Sequence, residues 1–208
     1  MASLEHEFIR ITGENGRVYY GGNQSWFKQK YMRKAGCGVV AAVNTLLYVT
    51  GRRELSIEEF IKTAEKVRRT ILTVPFLGAS SLFVSIGLSI SFRKLKINKF
   101  AFWKILPVNF YGGITDMIDR GIPVILAIGR NFPLFGTKEK LKFYTVNNGK
   151  YEPETEANAH FVTITAINDK WLTVSSWGRR YYLNRDELTR YAWLKSTWLF
   201  TNVISVTR

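Results

Sequence analysis

The sequence predicts an α+β fold, with helices in the first half of the chain and mainly antiparallel strands in the second. Apolar residues recur at helical spacing up to about residue 100, whereas the later half contains short runs rich in β-branched and aromatic residues. No internal repeat or low-complexity linker divides the 208 residues. We therefore expect one domain over residues 1–208, in which residues 1–20 form an irregular N-terminal extension apart from a short strand near residues 17–20.

Two helices are well marked in the first half. The first is expected to begin at Cys37, because Val40, Val43 and Leu46 follow it at helical spacing. The second begins near residues 56–59, whose sequence Ser-Ile-Glu-Glu is that of a capping box followed by an amphipathic pattern. We therefore expect the first half to be mainly helical.

A long uncharged stretch, Thr70 to Phe92, must be weighed against a membrane span. Pro75, Gly78 and Gly87 interrupt it, so we predict a buried loop followed by a helix and no transmembrane segment. The N-terminus has neither the basic start nor the apolar core of a signal peptide, and a lone cysteine cannot form an internal disulfide. We expect a cytoplasmic protein.

The second half reads as strands with two short helices. Gly121 stops a short helix over residues 115–120, and Asn184 is placed to cap another. The apolar and β-branched runs predict strands at 122–128, 142–146, 160–167, 171–176 and 199–206.

The chain is strongly basic, with 30 Lys and Arg against 16 Asp and Glu and a formal net charge of +14. This charge favours an acidic peptide or protein partner, but the basic residues are dispersed along the chain. Aromatic residues are interleaved with them only at Trp26, Phe27 and Tyr31, without zinc-finger spacing or a phosphate loop. We do not expect nucleic acid as the main partner, we expect no cofactor or metal, and the sequence leaves the oligomeric state open.

Chemistry is concentrated at Cys37 and His160. Cys37, flanked by Gly36 and Gly38, is placed at a helix N-terminus, where exposed N–H groups favour a thiolate and can lower the thiol pKa. The two glycines leave its backbone free to approach a ligand. His160 opens a predicted strand late in the chain. A cysteine and a histidine in this order predict a nucleophile activated by an imidazole base.

The group that orients His160 depends on a hairpin register. If Asn168 and Asp169 form a two-residue turn, Ser175 is the same-face diagonal neighbour of His160 on the adjacent strand. A loop one residue longer places Ser176 there instead. Both serines therefore remain candidates.

Several motifs together resemble those of the papain-like cysteine peptidases, and among them the branch of the double-glycine leader peptidases of bacteriocin exporters (peptidase C39-like). The resemblance spans roughly residues 20 to 192. It lies in Gln24, Gly-Cys-Gly-Val-Val-Ala-Ala at 36–42, Gly-Ile-Pro-Val-Ile at 121–125, Ala-His-Phe-Val at 159–162 and Ser-Ser-Trp-Gly at 175–178. It implies a papain-like fold, with helices packed on a C-terminal antiparallel sheet.

The resemblance also implies roles for the site residues. Cys37 would be the nucleophile, His160 the general base and acid, and Gln24 with the Cys37 N–H the oxyanion donors. Gln24 precedes Cys37 by more residues than is usual for the family, and Gln29 is the alternative.

The histidine-orienting position departs from the family pattern. It holds Ser175, where the family has Asn or Asp. A serine hydroxyl brings no charge to stabilise an imidazolium. The sequence thus predicts a thiol hydrolase of peptide or isopeptide bonds, with acyl transfer on the same residues as a variant. The alternative is a weak or inactive peptidase-like protein that binds a peptide or acidic partner.

Overall fold

The second half of the chain forms a long antiparallel sheet, and the first half contributes most of the helices that cover it. The computed structural model describes residues 1–72, 79–104, 109–132, 134 and 138–207. The helices described are α1 Lys30–Ala35, α2 Cys37–Val49, α3 Ile57–Arg68, α4 Ser81–Lys94, α5 Phe110–Asp119 and α6 Arg185–Leu194, with a 3₁₀ turn at Gln24–Trp26. The strands described are β1 Ala2–Ser3, β2 Arg10–Thr12, β3 Val18–Tyr20, β4 Glu54–Ser56, β5 Ala101–Lys104, β6 Val124–Ile128, β7 Leu141–Asn147, β8 Lys150–Ala157, β9 His160–Ile167, β10 Trp171–Ser176, β11 Arg179–Asn184 and β12 Asn202–Val206. The predicted α+β class is confirmed.

The main sheet places β9 at its centre. Its strand order is β5-β12-β6-β9-β10-β11-β7-β8, and β1 pairs with the far end of β9. β9 pairs antiparallel with β6 through residues 160–164 and with β1 through 166–167. His160 is therefore the first residue of a central strand, with a paired strand beside it.

The helix that begins at Cys37 is buried almost all round. α2 packs against β9 and β6 on one side and against α3 and α4 on the other. Such a helix lacks a polar face, as its run of apolar residues predicts. A Cβ built at Gly36 would lie 2.4 Å from the Met32 carbonyl oxygen. A side chain at position 36 would therefore clash with the last turn of α1, which Gly36 caps.

The first twenty residues are not irregular, which corrects the sequence prediction. β2 pairs with β3 antiparallel and with β4 parallel, and β1 joins the main sheet. Phe8, Ile9 and Ile11 are buried in the core. β3 matches the short strand predicted near residues 17–20, whereas β1 and β2 are too short to show a period-two pattern.

Strands β5, β8 and β11 are not among the predicted strands, and β8 and β11 carry several charged residues. β8 is mostly exposed and contains three glutamates, yet it pairs along its length with β7. β11 starts with two arginines and is held by β10. In the uncharged stretch 70–92 the predicted helix is α4, whereas residues 73–78 lie outside the described residues. Among the helices described, none has the length and apolar character needed to span a bilayer.

Candidate active site

Cys37 is the first residue of α2, as the sequence predicts. The residue is half-buried. It lines a small cavity of about 10 Å³ together with Gln24 and His160. A space of this size holds about one water molecule. The fold thus brings together three residues that are far apart in the chain.

His160 is buried and held by two neighbours. The imidazole stacks on the Trp177 indole, with ring centroids 4.4 Å apart and planes inclined by 13°. Its Nε2 lies 2.8 Å from the Ser176 Oγ. Because Nε2 is engaged in this way, Nδ1 is the ring nitrogen available to the thiol in the cavity that His160 shares with Cys37.

The hydroxyl at His160 belongs to Ser176, as the longer loop predicts, and not to Ser175 at the family's histidine-orienting position. Ser175 pairs with Thr163 across the hairpin. Its Oγ donates instead to the Tyr20 carbonyl oxygen at 2.7 Å. The two serines therefore have different partners, and only Ser176 hydrogen-bonds to the imidazole.

The turn between β9 and β10 explains this register. Asn168 Oδ1 accepts hydrogen bonds from the N–H groups of Lys170 at 2.9 Å and Trp171 at 2.7 Å. Asn168 consequently precedes the turn, whose two central residues are Asp169 and Lys170, so the turn is centred one residue later than predicted. Moving the turn by one residue shifts the strand pairing by two residues, and a bulge between β9 and β10 shifts the pairing back by one. The net shift of one residue exchanges Ser175 for Ser176.

Of the two candidate glutamines, Gln24 is the one beside Cys37. Its Nε2 donates to the carbonyl oxygens of Arg33 at 2.8 Å and Lys34 at 3.3 Å, at the end of α1. Gln29 precedes α1, and its buried Oε1 has no hydrogen-bond partner among the described residues. The long spacing from Gln24 to Cys37 arises because α1 occupies the interval and leads the chain back to the site.

Burial determines the protonation of the pair. It raises the pKa of the Cys37 thiol, and hydrogen bonding from the backbone of Phe161 and Gly38 opposes this only in part. It lowers the pKa of His160 from 6.5 to about 3. The expectation of a lowered thiol pKa is therefore not met, because desolvation outweighs the N–H groups at the helix start. Burial therefore favours the neutral form of each group.

Trp177 is held in a strained backbone conformation. Trp177 and Gly178 have φ of +49° and +74° and connect β10 to β11. The turn between β7 and β8 has the same pattern, but there it is formed by Asn148 and Gly149, which tolerate it well. A bulky residue at positive φ is a true outlier, and such strain often marks a functional position. Here it places the indole against His160.

Asn44 is a cavity residue that sequence reasoning missed. It lies two turns after Cys37 on α2 and is only 1% exposed. Its Oδ1 accepts a hydrogen bond from the Gly22 N–H at 3.0 Å. The available signal was a single amide side chain within an otherwise apolar helix.

A larger cleft of about 570 Å³ opens beside the small cavity. The two cavities share His160 and Phe161 as lining residues. The larger cleft is mostly apolar, and Leu82, Leu199 and Phe200 on its walls are also exposed to solvent. Neither cavity offers a metal site: in the described part of the chain, no three His, Cys, Asp or Glu side chains are grouped to hold an ion.

Comparison with known proteins shows the fold. No family model matches the chain, and no curated protein matches it either. Among solved structures, it is similar to a crystal structure from Bacillus anthracis whose description assigns the protein provisionally as a C39-like peptidase. The two share 11% sequence identity with a TM-score of 0.51, over 89% of this chain and 93% of the other. The chain therefore has the fold of a C39-like peptidase.

Proposed function

We propose that the chain is a cysteine peptidase that hydrolyses peptide or isopeptide bonds through an acyl-enzyme at Cys37. One observation carries the proposal: Cys37 and His160 line one cavity while His160 Nε2 is engaged by Ser176. This leaves Nδ1 to act as base toward the thiol. The likeness in fold to a C39-like peptidase supports the same function.

Proton transfer in this mechanism starts from a neutral pair. Nε2–H donates to the Ser176 hydroxyl, so the Nδ1 lone pair takes the thiol proton as sulfur attacks the substrate carbonyl. The imidazolium then gives its proton to the leaving amine, and the acyl group remains on Cys37. A water molecule, deprotonated by His160, attacks the thioester and releases the acid and the free thiol.

The oxyanion of each tetrahedral intermediate would be bound by two donors. These are the Cys37 backbone N–H and the side-chain amide of Gln24. The shorter of the two Gln24 hydrogen bonds, to the Arg33 carbonyl, holds the amide in place at 2.8 Å. The longer contact, 3.3 Å to the Lys34 carbonyl, is the one that an oxyanion would replace.

Labelling with a peptide acyloxymethyl ketone tests the proposal. Because Cys37 is the single cysteine of the chain, Cys37→Ala should abolish labelling and turnover of a fluorogenic peptide library. His160→Gln should reduce turnover about 10²–10⁴-fold while leaving the thiol in place. Undiminished turnover by Cys37→Ala would refute the proposal.

The larger cleft favours an apolar side chain next to an acidic one in the substrate. Apart from His160, Arg130 is the one ionisable residue among the described residues that line it, and Arg130 is exposed. We expect Arg130→Gln to raise KM about tenfold for a peptide with Glu beside a large apolar residue, and to leave KM for the Gln analogue unchanged. Equal effects on both peptides would exclude a role for Arg130 in recognising acid.

The double-glycine leader branch is a finer part of the proposal. It rests on the motif resemblance alone, and it predicts preferential cleavage after Gly-Gly in the peptide library. A library profile without glycine preference would remove this branch and leave the peptidase proposal standing.

A second candidate function is a peptidase-like protein that binds peptides without cleaving them. The neutral Ser176 beside His160, together with burial that disfavours both charged forms, favours it. Saturable peptide binding that survives Cys37→Ala, with no turnover by the wild type, would support this function over hydrolysis.

A further inference from the structure

We infer that Asn44 and Ser175 are positioning residues, which hold Gln24 at Cys37 by fixing the segment Tyr20–Asn23 that leads into it. This inference rests on the proposed function, in which Gln24 is an oxyanion donor. It gives Ser175 a role different from the orientation of His160.

Asn44 fixes the segment from the side of the nucleophile. It belongs to α2, the helix that begins at Cys37, and its amide is buried. Oδ1 accepts from the Gly22 N–H at 3.0 Å, and Nδ2 lies 3.5 Å from the Ser175 Oγ. The side chain thus joins the segment directly to α2, two residues before Gln24.

Ser175 fixes the segment from the side of the base. Its buried hydroxyl donates to the Tyr20 carbonyl oxygen at 2.7 Å. A Cβ built at Gly21 would lie 2.4 Å from the Ser175 Oγ and 3.0 Å from the Asn44 Nδ2, and Gly21 has a φ of +78°. The segment therefore lies against both side chains with no spare room, in a conformation that suits glycine.

The turn that carries Trp177 completes the attachment. Asn23 Nδ2 donates to the Trp177 carbonyl oxygen at 2.9 Å, and the Gly178 N–H donates to the Gly22 carbonyl oxygen at 3.0 Å. One short segment is consequently bonded both to the helix of Cys37 and to the hairpin beside His160. Gln24 is the next residue along the chain, so its position is set by these bonds.

The test compares a reaction that needs an oxyanion donor with one that does not. Peptide hydrolysis passes through a tetrahedral oxyanion, whereas alkylation of Cys37 by iodoacetamide is a direct displacement that forms none. We expect Asn44→Leu and Ser175→Ala each to lower kcat/KM about 10–100-fold, mainly through kcat. The alkylation rate at pH 9 should stay within about twofold of the wild type.

Thr45→Val is the matched control. Thr45 neighbours Asn44 on α2 and is fully buried, and within the described part of the chain its hydroxyl bonds to the Ala41 carbonyl of its own helix alone, at 3.0 Å. The Thr45→Val substitution removes a buried hydroxyl that does not contact the segment Tyr20–Asn23, so kcat/KM should remain near the wild-type value. Circular dichroism and thermal unfolding identify any variant that fails to fold. If Asn44→Leu does not fold, the test is made with Ser175→Ala.

A double mutant separates positioning from general damage. If Asn44 acts through Gln24, then Gln24→Ala combined with Asn44→Leu should be no slower than Gln24→Ala alone. Multiplicative losses, or equal losses in alkylation and hydrolysis, would overturn the inference while leaving the peptidase proposal intact. A wild type without Cys37-dependent turnover would overturn both.

Discussion

At the scale of the residue, the protonation of Cys37 and His160 is set by desolvation. Burial favours a thiol and a neutral imidazole in the free protein, because it penalises both charged forms. A neutral Ser176 at Nε2 fits this state, since it does not have to balance a resting imidazolium. A thiolate would then form only as the proton moves to His160 during attack.

Alkylation of Cys37 measures its protonation directly. The second-order rate with iodoacetamide should rise only at alkaline pH, with an apparent pKa above the usual thiol value of roughly 8.5, because burial raises the pKa of the thiol. A rate profile between pH 5 and pH 11 gives this value from the single cysteine. A reactive limb near neutral pH would show instead a thiolate–imidazolium pair.

His160 should make folding sensitive to acid. Its pKa is lowered from 6.5 to about 3 in the folded state. Between those values the unfolded chain binds a proton that the folded protein does not, so the free energy of unfolding falls as the pH falls through that range. Between pH 7 and pH 4.5, we expect the free energy of unfolding of the wild type to fall by about 2 kcal/mol more than that of His160→Gln. Urea unfolding at both pH values measures this, and parallel losses would contradict it.

At the scale of the element, the β9–β10 turn fixes which serine meets His160. Asn168→Ala removes both hydrogen bonds from Asn168 Oδ1 to the turn backbone. It should lower the free energy of unfolding by about 1–2 kcal/mol. Asp169→Ala is the control, because Asp169 is an exposed residue of the same turn and its side chain makes none of the hydrogen bonds found among the described residues. Equal losses in the two variants would refute this role of Asn168.

The same turn shows how far the sequence could predict the site. The order of Cys37 and His160, the helix after Cys37 and the strand after His160 follow from local patterns, and they are present as predicted. The choice between Ser175 and Ser176 depends on a turn position and a bulge that no local pattern specifies. Asn44 was missed because its partner Gly22 is distant in sequence. The features that could not be predicted are those that depend on contacts between residues distant in sequence.

At the scale of the whole molecule, the N-terminal residues belong to the core. Ile9 is fully buried, and the strands on either side of it pair with other parts of the chain. Ile9→Ala should lower the free energy of unfolding by about 2–4 kcal/mol. Val18→Ala, at a residue that is 49% exposed, should change it by less than about 0.5 kcal/mol. Urea denaturation of both variants measures the difference, and a neutral Ile9→Ala would show that the extension is dispensable.

The order of strands in the main sheet has a consequence for when the protein could first act. β12 lies between β5 and β6, although it follows both far along the chain, and Asn202 in β12 also lines the larger cleft. During synthesis β6 can pair with β9 before β12 is available to pair with the other edge of β6. Cys37 and His160 could therefore come together before β12 completes the lining of the neighbouring cleft. Under the proposed function, the larger cleft would be complete for a substrate only after β12 has joined the sheet.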